Sequence, residues 1–545
     1  MAKKSTATRK TAPKTSKAKN QERDSKKSFE QSLWDTADKL RGTVESSEYK
    51  HVVLSLIFLK FVSDRFEQRR QAIIDDGKAA YVDMVEFYTM KNVFYLPEES
   101  RWTTIVKQAK QDDIAVRIDS ALHAVEKNNP SLNGALPDNY FSRMGIDVAK
   151  LAALIDSINN ISTVAEEGSD SEEDIVGRVY EYFLGKFAAT EGKGGGEFYT
   201  PKCVVNLIAE MIEPYSGKIY DPCCGSGGMF VQSVKFIKNH SGNQKDISIY
   251  GQEQTSTTYK LAKMNLAIRG ISGNLGDVPA DTFFKDQHPD LKADYIMANP
   301  PFNLKAWRGP DELTDDPRWS GYEVPPAGNA NYAWILHMIS KLSENGVAGF
   351  VLANGSMSTS TSGEGAIRQK IIENDLVDCM IALPGQLFYT TQIPVCLWFL
   401  TKSKKARVVK GHSELNQRQR SGETLFIDAR NHGTMVDRTH KELTEADIAE
   451  IARTYHAWRG EPKDGEYEDR AGFCKNSTLE EIKANDYVLT PGRYVGAAAI
   501  EDDGIPFETK MTEMTMTLHR QMEDSEKLDK AIRKNLNTLG YGESR

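Results

Sequence analysis

An apolar run that ends in an asparagine, two prolines and an aromatic, DYIMANPPF at Asp294–Phe302, leaves one amide and one ring on a stiff turn. Asn299 and Pro300 each precede a proline and are pushed out of the helical region. Pro300 and Pro301 have φ fixed at about −65°. Two acceptors then stand side by side, the Asn299 amide oxygen and the Pro300 carbonyl. An exocyclic amino group has two N–H bonds to donate. Aiming both at fixed acceptors draws the nitrogen lone pair out of ring conjugation, and that pair can attack an electrophilic methyl group in line. No strong base is needed. Phe302 offers a ring for a planar substrate, and such stacking is worth about 1–3 kcal/mol per base. A base in a duplex would have to leave it to reach this turn. Taken alone, the tetrapeptide suits adenine, cytosine or a glutamine amide.

A second stretch, KIYDPCCGSGGMF at Lys218–Phe230, has the layout strand, acidic residue (Asp221), glycine turn, helix. Gly225, Gly227 and Gly228, with Ser226 between the first two, let backbone approach a ligand closely. A dinucleotide site would place a third glycine where Phe230 stands. No P-loop lysine follows either, so phosphate cradling is not expected. S-adenosylmethionine, which has no phosphate and a charged amino-acid end, is the alternative ligand. Glu253 in YGQEQ ends the next strand, where a carboxylate can accept both ribose hydroxyls; a solvated glutamate is the plainer reading. Asp281 in ADTFFKDQ is placed to accept from an adenine amino group, with Phe283 or Phe284 over the ring face. A helix N-cap explains Asp281 equally well, and Asp277 in GNLGD competes with it for the adenine. No metal is expected, since His432 and His440 are not at ligand spacing with any cysteine.

These residues need a scaffold, and the pattern around them supplies one. Strands are expected at Ser216–Asp221, Ile247–Gln252, Ala293–Ala298, Val347–Leu352, Leu376–Leu383 and Val395–Leu400. Helices are expected at Met229–Ile237, Thr255–Arg269, Tyr332–Leu342 and Ile367–Asn374. Such alternation predicts an α/β fold, a mostly parallel, Rossmann-like sheet covered on both faces. Ligands in such sheets bind beyond the carboxyl ends of the strands.

The flanks differ. Residues 1–27 carry ten Lys/Arg against two Asp/Glu, while the whole chain has a net charge of −8. The composition is expected to give a disordered basic arm, either a solubilising tail or a salt-dependent contact with nucleic-acid phosphate. Residues 28–165 read as a helical domain, with Trp34, Ala37 and Leu40 on one face and the apolar window Val52–Val62. The acidic linker AEEGSDSEED at 165–174 marks the first boundary. A catalytic domain is expected over 166–476 and a C-terminal segment over 477–545. In that segment Met511, Met514, Leu518, Met522, Ile532, Leu536 and Leu539 recur mostly at three- and four-residue steps. This predicts an amphipathic helix that packs on its own domain or on another subunit. The basic strip Lys402, Lys404, Lys405, Arg407 and Lys410 reads as a solvated loop or a phosphate contact.

The longest apolar window contains Lys60 and is too short to span a bilayer. Six cysteines without C-x-x-C spacing indicate neither a zinc site nor a disulfide framework. A cytoplasmic protein with no membrane association is expected.

NPPF together with DPCCGSGG at Asp221–Gly228 resembles the amino-methyltransferases acting on adenine N6. A further block, GGEFYTP at Gly195–Pro201, precedes the glycine turn. That order is similar to the modification (M) subunit of type I restriction-modification systems. SLWDTADKLRG, LPGQLFYTTQIPVCLWFL and FIDARNHGTMVDRTHKELTEADI are similar to the same family. The resemblance runs over roughly Ser28–Gly496 and leaves the basic arm outside.

The resemblance implies a class I S-adenosylmethionine-dependent methyltransferase with an N-terminal helical domain and a C-terminal helix. By position it implies cofactor contacts from Glu197, Phe198, Tyr199, Thr200, Pro201 and Lys202, from Ser226, Gly227 and Gly228, and from Glu253. It assigns the catalytic loop to Asn299, Pro300, Pro301 and Phe302. Its implied partners are double-stranded DNA, a specificity (S) subunit that reads the sequence, a second M copy and a helicase-nuclease (R) subunit. The chain itself has no G-x-x-x-x-G-K-[ST] for DNA translocation. Two rivals remain: a scaffold that has lost the chemistry, and an amino-methyltransferase acting on protein glutamine or RNA.

Overall fold

The computed structural model describes residues 34–35, 46–160, 182–183, 185–186, 200–240, 242–388, 393–408, 416–497 and 507–539. The basic arm, the acidic linker with its boundary, Glu197, Phe198, Tyr199 and Lys410 lie outside them. Two compact units divide the chain, 1–496 and 497–545.

In the first unit the apolar window lies within a 30-residue helix, α1 (Ser46–Asp75). Every residue from His51 to Leu59 is buried, as expected of a helix that is apolar on all sides. Helices α2 (Trp102–Gln108), α3 (Ile114–Asn128) and α4 (Val148–Asn159) share its core. Trp102 ties three of them together. Its backbone N–H donates to Ser63 Oγ at 2.7 Å and its indole N–H to Asn159 Oδ1 at 3.0 Å. Leu261, Met264 and Ile268 of the following region join the same core.

That region opens with α5 (Lys202–Ile212) and β1 (Gly217–Asp221). It continues through α6 (Gly228–Asn239), β2 (Ile247–Gly251), α7 (Ser256–Ile268), β3 (Gly273–Asn274) and β4 (Ala293–Ala298). Next come α8 (Asn331–Lys341), β5 (Leu342–Ala353), α9 (Glu364–Glu373), β6 (Val377–Ala382) and β7 (Val395–Thr401). It closes with β8 (Glu423–Asp428), α10 (Glu445–Arg459) and β9 (Cys474–Thr478). The nine strands form one sheet in the order β9-β8-β6-β7-β5-β4-β1-β2-β3. It is mostly parallel; β7 runs antiparallel to both neighbours and β9 antiparallel to β8. Both faces are covered. Ile219, Tyr295 and Met297 enter one core, and the alternate residues Tyr220, Ile296 and Ala298 enter the other. The chain order reverses between β1 and β4, which puts a binding crevice at their carboxyl ends.

The expected strands and helices are present with ends shifted by a few residues, and Val347–Leu352 proves part of the longer β5. Reading the sequence missed α5, β3, β8, α10 and β9. The boundary expected at 476/477 falls inside β9, which completes the sheet on β8. Beyond it Ile482, Leu489, Tyr494 and Val495 are buried in the second core, so the first unit runs on to Gly496. The basic strip also needs correction. Lys404 is buried, and its ammonium donates to Asp375, to the Val377 carbonyl and to the Glu423 carbonyl at 2.7–2.8 Å. It is a structural cation and takes no part in a phosphate-binding surface.

The second unit holds α11 (Phe507–Thr538), whose Met511, Met514, Leu518, Met522, Ile532 and Leu536 are exposed. No helix among the described residues is long and apolar enough to cross a membrane. All six cysteines are free thiols.

Candidate active site

The chain leaves β1 at Asp221 and turns through Pro222–Gly227 into α6. Gly225 (φ 54°) and Gly227 (φ 80°) adopt the left-handed conformation that a side chain would resist. Backbone bonds fasten this turn to the end of β2: Gln252 N–H donates to Asp221 O at 3.0 Å and Cys224 N–H to Gln252 O at 2.9 Å. Gly251 solves the packing that a third glycine would solve in a dinucleotide fold. A Cβ there would lie 2.9 Å from the Phe230 ring and 2.8 Å from Leu275. The close approach is kept, but its glycine sits on the strand while the helix supplies the ring.

Two carboxylates underlie the turn. Asp221 accepts from Cys223 N–H at 3.0 Å, and burial pushes it up to about 7, with Glu253 adding to the rise. Glu253 accepts from Gly225 N–H at 3.1 Å and from Thr255 N–H at 2.8 Å. Burial raises it as well, against those bonds. The position is therefore dry, acidic and held by backbone.

A cavity of about 440 Å³ opens at the carboxyl ends of these strands. Pro222, Cys223, Gly225 and Glu253 form one side of its lining, and Asn299 and Pro301 another. Asp281 lines it too, and its Oδ1 caps the backbone N–H of Phe283 at 2.7 Å. No helix starts there: residues 282–284 form a turn that the Asp281 carboxylate closes, and the same residue faces the cavity. Its competitor Asp277 is exposed and outside the lining. Phe283 lines the cavity and Phe284 is exposed. Asp221, Ser226, Gly227, Gly228, Thr200, Pro300 and Phe302 lie outside the lining, as do Pro201, which is buried at the start of α5, and Lys202, which is exposed.

Beyond β4 the side chain of Asn299 is anchored at one end only. Its Nδ2–H donates to Thr200 Oγ1 at 3.0 Å. Its Oδ1 is buried and has no hydrogen-bond partner among the described residues. A buried acceptor left unmade costs about 1–3 kcal/mol, and such a group in a well-packed fold calls for an explanation. Phe302 is half-buried and stands edge-on to Phe388, ring centres 5.7 Å apart. After it, Asn303 takes a left-handed φ of 53° and exchanges bonds with Asn331 at 3.0 and 2.9 Å. These bonds pin the loop to the first turn of α8.

Phe283 is legible in the sequence as a ring beside Asp281, but the two tryptophans that join it in the lining are not. Phe283 packs against Trp307 at 4.6 Å and against Trp334 at 4.3 Å, and all three line the cavity. Arg318 fastens this aromatic wall by donating to the Thr282 and Phe283 carbonyls at 3.0 and 2.6 Å. The three rings come from three separate segments. The only local signal was the aromatic content around Asp281 and after NPPF.

At the other end of α5, Glu213 joins a buried cluster with His456 and Glu461. Arg459 and Lys463 reach Glu213 at 2.7 and 2.8 Å and supply positive charge there. Burial pushes the Glu213 carboxyl up, but His456, Arg459 and Lys463 overcome this and hold it at about 2. The cluster locks α5 to α10.

Residues 171–503 match the family model for N-6 DNA Methylase, and residues 29–158 match the HsdM N-terminal domain. The type I restriction enzyme HindI methylase subunit of Haemophilus influenzae is 49% identical over 461 residues, which are 82% of this chain and 100% of that protein. The MjaIX methylase subunit of Methanocaldococcus jannaschii is 40% identical, over 94% of this chain and 92% of its own length. The fold is similar to that of a type I restriction-modification methyltransferase subunit from Streptococcus thermophilus, with a TM-score of 0.69 and 24% identity over 86% of this chain and 99% of that one. With the family model spanning the whole sheet and the cavity at its edge, the chain belongs to the N-6 DNA methylase family, among the methylase subunits of type I restriction enzymes.

Proposed function

We propose that this chain transfers a methyl group from S-adenosylmethionine to the N6 amino group of an adenine turned out of duplex DNA. The observation that carries this reading is the buried, unpartnered Oδ1 of Asn299 at the cavity's edge. An acceptor in that state waits for a donor, and an exocyclic amino group is one. The Pro300 carbonyl is the second acceptor, and the two prolines fix both before the base arrives. When bound, S-adenosylmethionine supplies a methyl on a sulfonium whose leaving group is a neutral thioether. The amino nitrogen attacks that methyl and its surplus proton leaves to water.

The cavity suits this cofactor. Its volume falls within the range of about 300–1,000 Å³ usual for small-molecule sites. Glu253, which lines the cavity, is matched to ribose hydroxyls. Asp281 and the Phe283 ring suit the adenine end. Phe302 with Phe388 offers aromatic surface for the target base. The sequence to be modified is read by a separate specificity subunit, against which α11 packs. A second copy of this chain and a helicase-nuclease subunit complete the assembly. The test is labelled methyl transfer to DNA by the chain with its specificity partner, followed by identification of the modified base. N6-methyladenine supports the reading; methylcytosine, methylglutamine or no product overturns it.

A further inference from the structure

We infer that Thr200 is a positioning residue for Asn299, rather than one of the cofactor contacts that the sequence implies for the Glu197–Lys202 segment. This rests on the reading of Asn299 Oδ1 as the acceptor for the target amino group. The prolines that follow Asn299 fix its backbone, but they leave its side chain free to turn. The last torsion of an asparagine is broad and roughly two-fold. Turned by half a revolution, the amide would offer two N–H donors where the chemistry requires an acceptor. The orientation therefore needs a contact to the amide itself. Thr200 provides it: the hydroxyl oxygen accepts from Asn299 Nδ2 at 3.0 Å, which leaves Oδ1 as the open end.

Thr200 is itself held firmly. Pro201 follows it and is buried, and the Pro201 carbonyl accepts from Val204 and Val205 at 3.0 and 3.1 Å, starting α5. The far end of α5 is fixed through Glu213 to Arg459 and Lys463. Within the described residues Thr200 lies outside the cavity lining, while Asn299 lies in it. Its reach is to the catalytic amide.

Thr200→Val keeps the shape and removes the hydroxyl; Thr200→Ser keeps the hydroxyl. Methyl transfer is measured for the chain in complex with its specificity partner, using unmodified genomic DNA and labelled S-adenosylmethionine. Cofactor binding is measured in parallel by calorimetry. The expected result for Thr200→Val is a fall in kcat of about 10–100-fold, as for loss of one preorganising contact. KM for DNA and the cofactor Kd should stay within about threefold of wild type, since the bond removed joins two side chains of the protein and touches neither ligand. Thr200→Ser should recover most of kcat. A merely structural role would move binding and thermal unfolding with kcat and would not be rescued by serine. Should Thr200→Val unfold, Thr200→Ala is compared with Thr200→Ser by the same split. Weakened cofactor binding with kcat intact at saturation would return Thr200 to the cofactor and overturn the inference. A wild-type kcat in Thr200→Val beside an inactive Asn299→Ala would also overturn it, leaving the function in place. A wild-type complex that transfers no methyl would overturn the functional reading itself.

Discussion

Gly251 meets the ring of Phe230 so closely that a Cβ on Gly251 would stand 2.9 Å from it. The contact brings β2 against α6, and it aims the chain from Gly251 into Gln252 and Glu253 at the cavity. Gly251→Ala should therefore destabilise the fold by about 1–3 kcal/mol, the usual cost of overpacking. Adding Phe230→Leu should recover part of the loss, because the ring is one of the two obstructing side chains. Urea unfolding of the two variants checks this. An unchanged midpoint for Gly251→Ala would show that β2 and α6 have room to separate.

Arg420 and Asp378 form a fully buried pair, with Arg420 Nε donating at 2.9 Å and Nη2 at 3.2 Å. Burial alone would push Asp378 up. Arg420, Lys404 and the Tyr455 hydroxyl at 2.6 Å overcome it and hold Asp378 below its ordinary value. Arg420→Met strands that charge between β6 and α10 and should cost about 3–5 kcal/mol at neutral pH. The deficit should shrink in acid as Asp378 takes up a proton. Chemical unfolding at pH 7 and pH 5 reads both effects, and an equal deficit at the two would contradict the assignment.

Burial raises Asp221 from 3.8 to about 7. Between those values the folded chain holds a proton that the unfolded chain has lost. Its contribution to stability is therefore present below the ordinary value and is lost as pH rises towards 7. Three pH units correspond to about 4 kcal/mol as an upper bound. Asp221→Asn cannot ionise, so its stability relative to wild type should rise from pH 5 to pH 7.5 and then level off. Unfolding free energies measured across that window give the slope. A flat difference would mean that Asp221 is ionised in the free protein.

The parts of this fold that were legible from sequence are those whose signal is local. The run at Ala293–Ala298 is apolar, alternates between two cores and is stopped by prolines, so its ends could be read directly. Gly225 and Gly227 announced a turn because positive φ has a residue type. By contrast, β9 reads CKNST and buries only Cys474 and Ser477. An edge strand that polar has no pattern distinguishing it from a loop, and the misplaced boundary at 476 follows from that. Helix α10 was readable in principle: Thr444 and Asp447 form a reciprocal capping box, and the T-x-x-D spacing is printed in the sequence. The bond from Asn299 to Thr200 joins residues 99 apart. The two motifs were both visible, but only the chain's path through the sheet brings them together. Lys404 failed for the converse reason, since a lysine in a charged stretch gives no sign that it is buried.

The central claim is that the open oxygen of Asn299 receives the amino group of adenine. The most direct measurement compares wild type with Asn299→Ala, each in complex with the specificity partner, on genomic DNA from cells lacking the modification. Labelled methyl transfer and mass spectrometry of the nucleosides are read together with cofactor affinity. The account predicts N6-methyladenine from wild type, a loss of at least about 10²–10³-fold in kcat for the variant, and a cofactor Kd within about threefold of wild type, because the lost contact is to the substrate. Methyl transfer that survives in Asn299→Ala, or a variant that no longer binds S-adenosylmethionine, would contradict it.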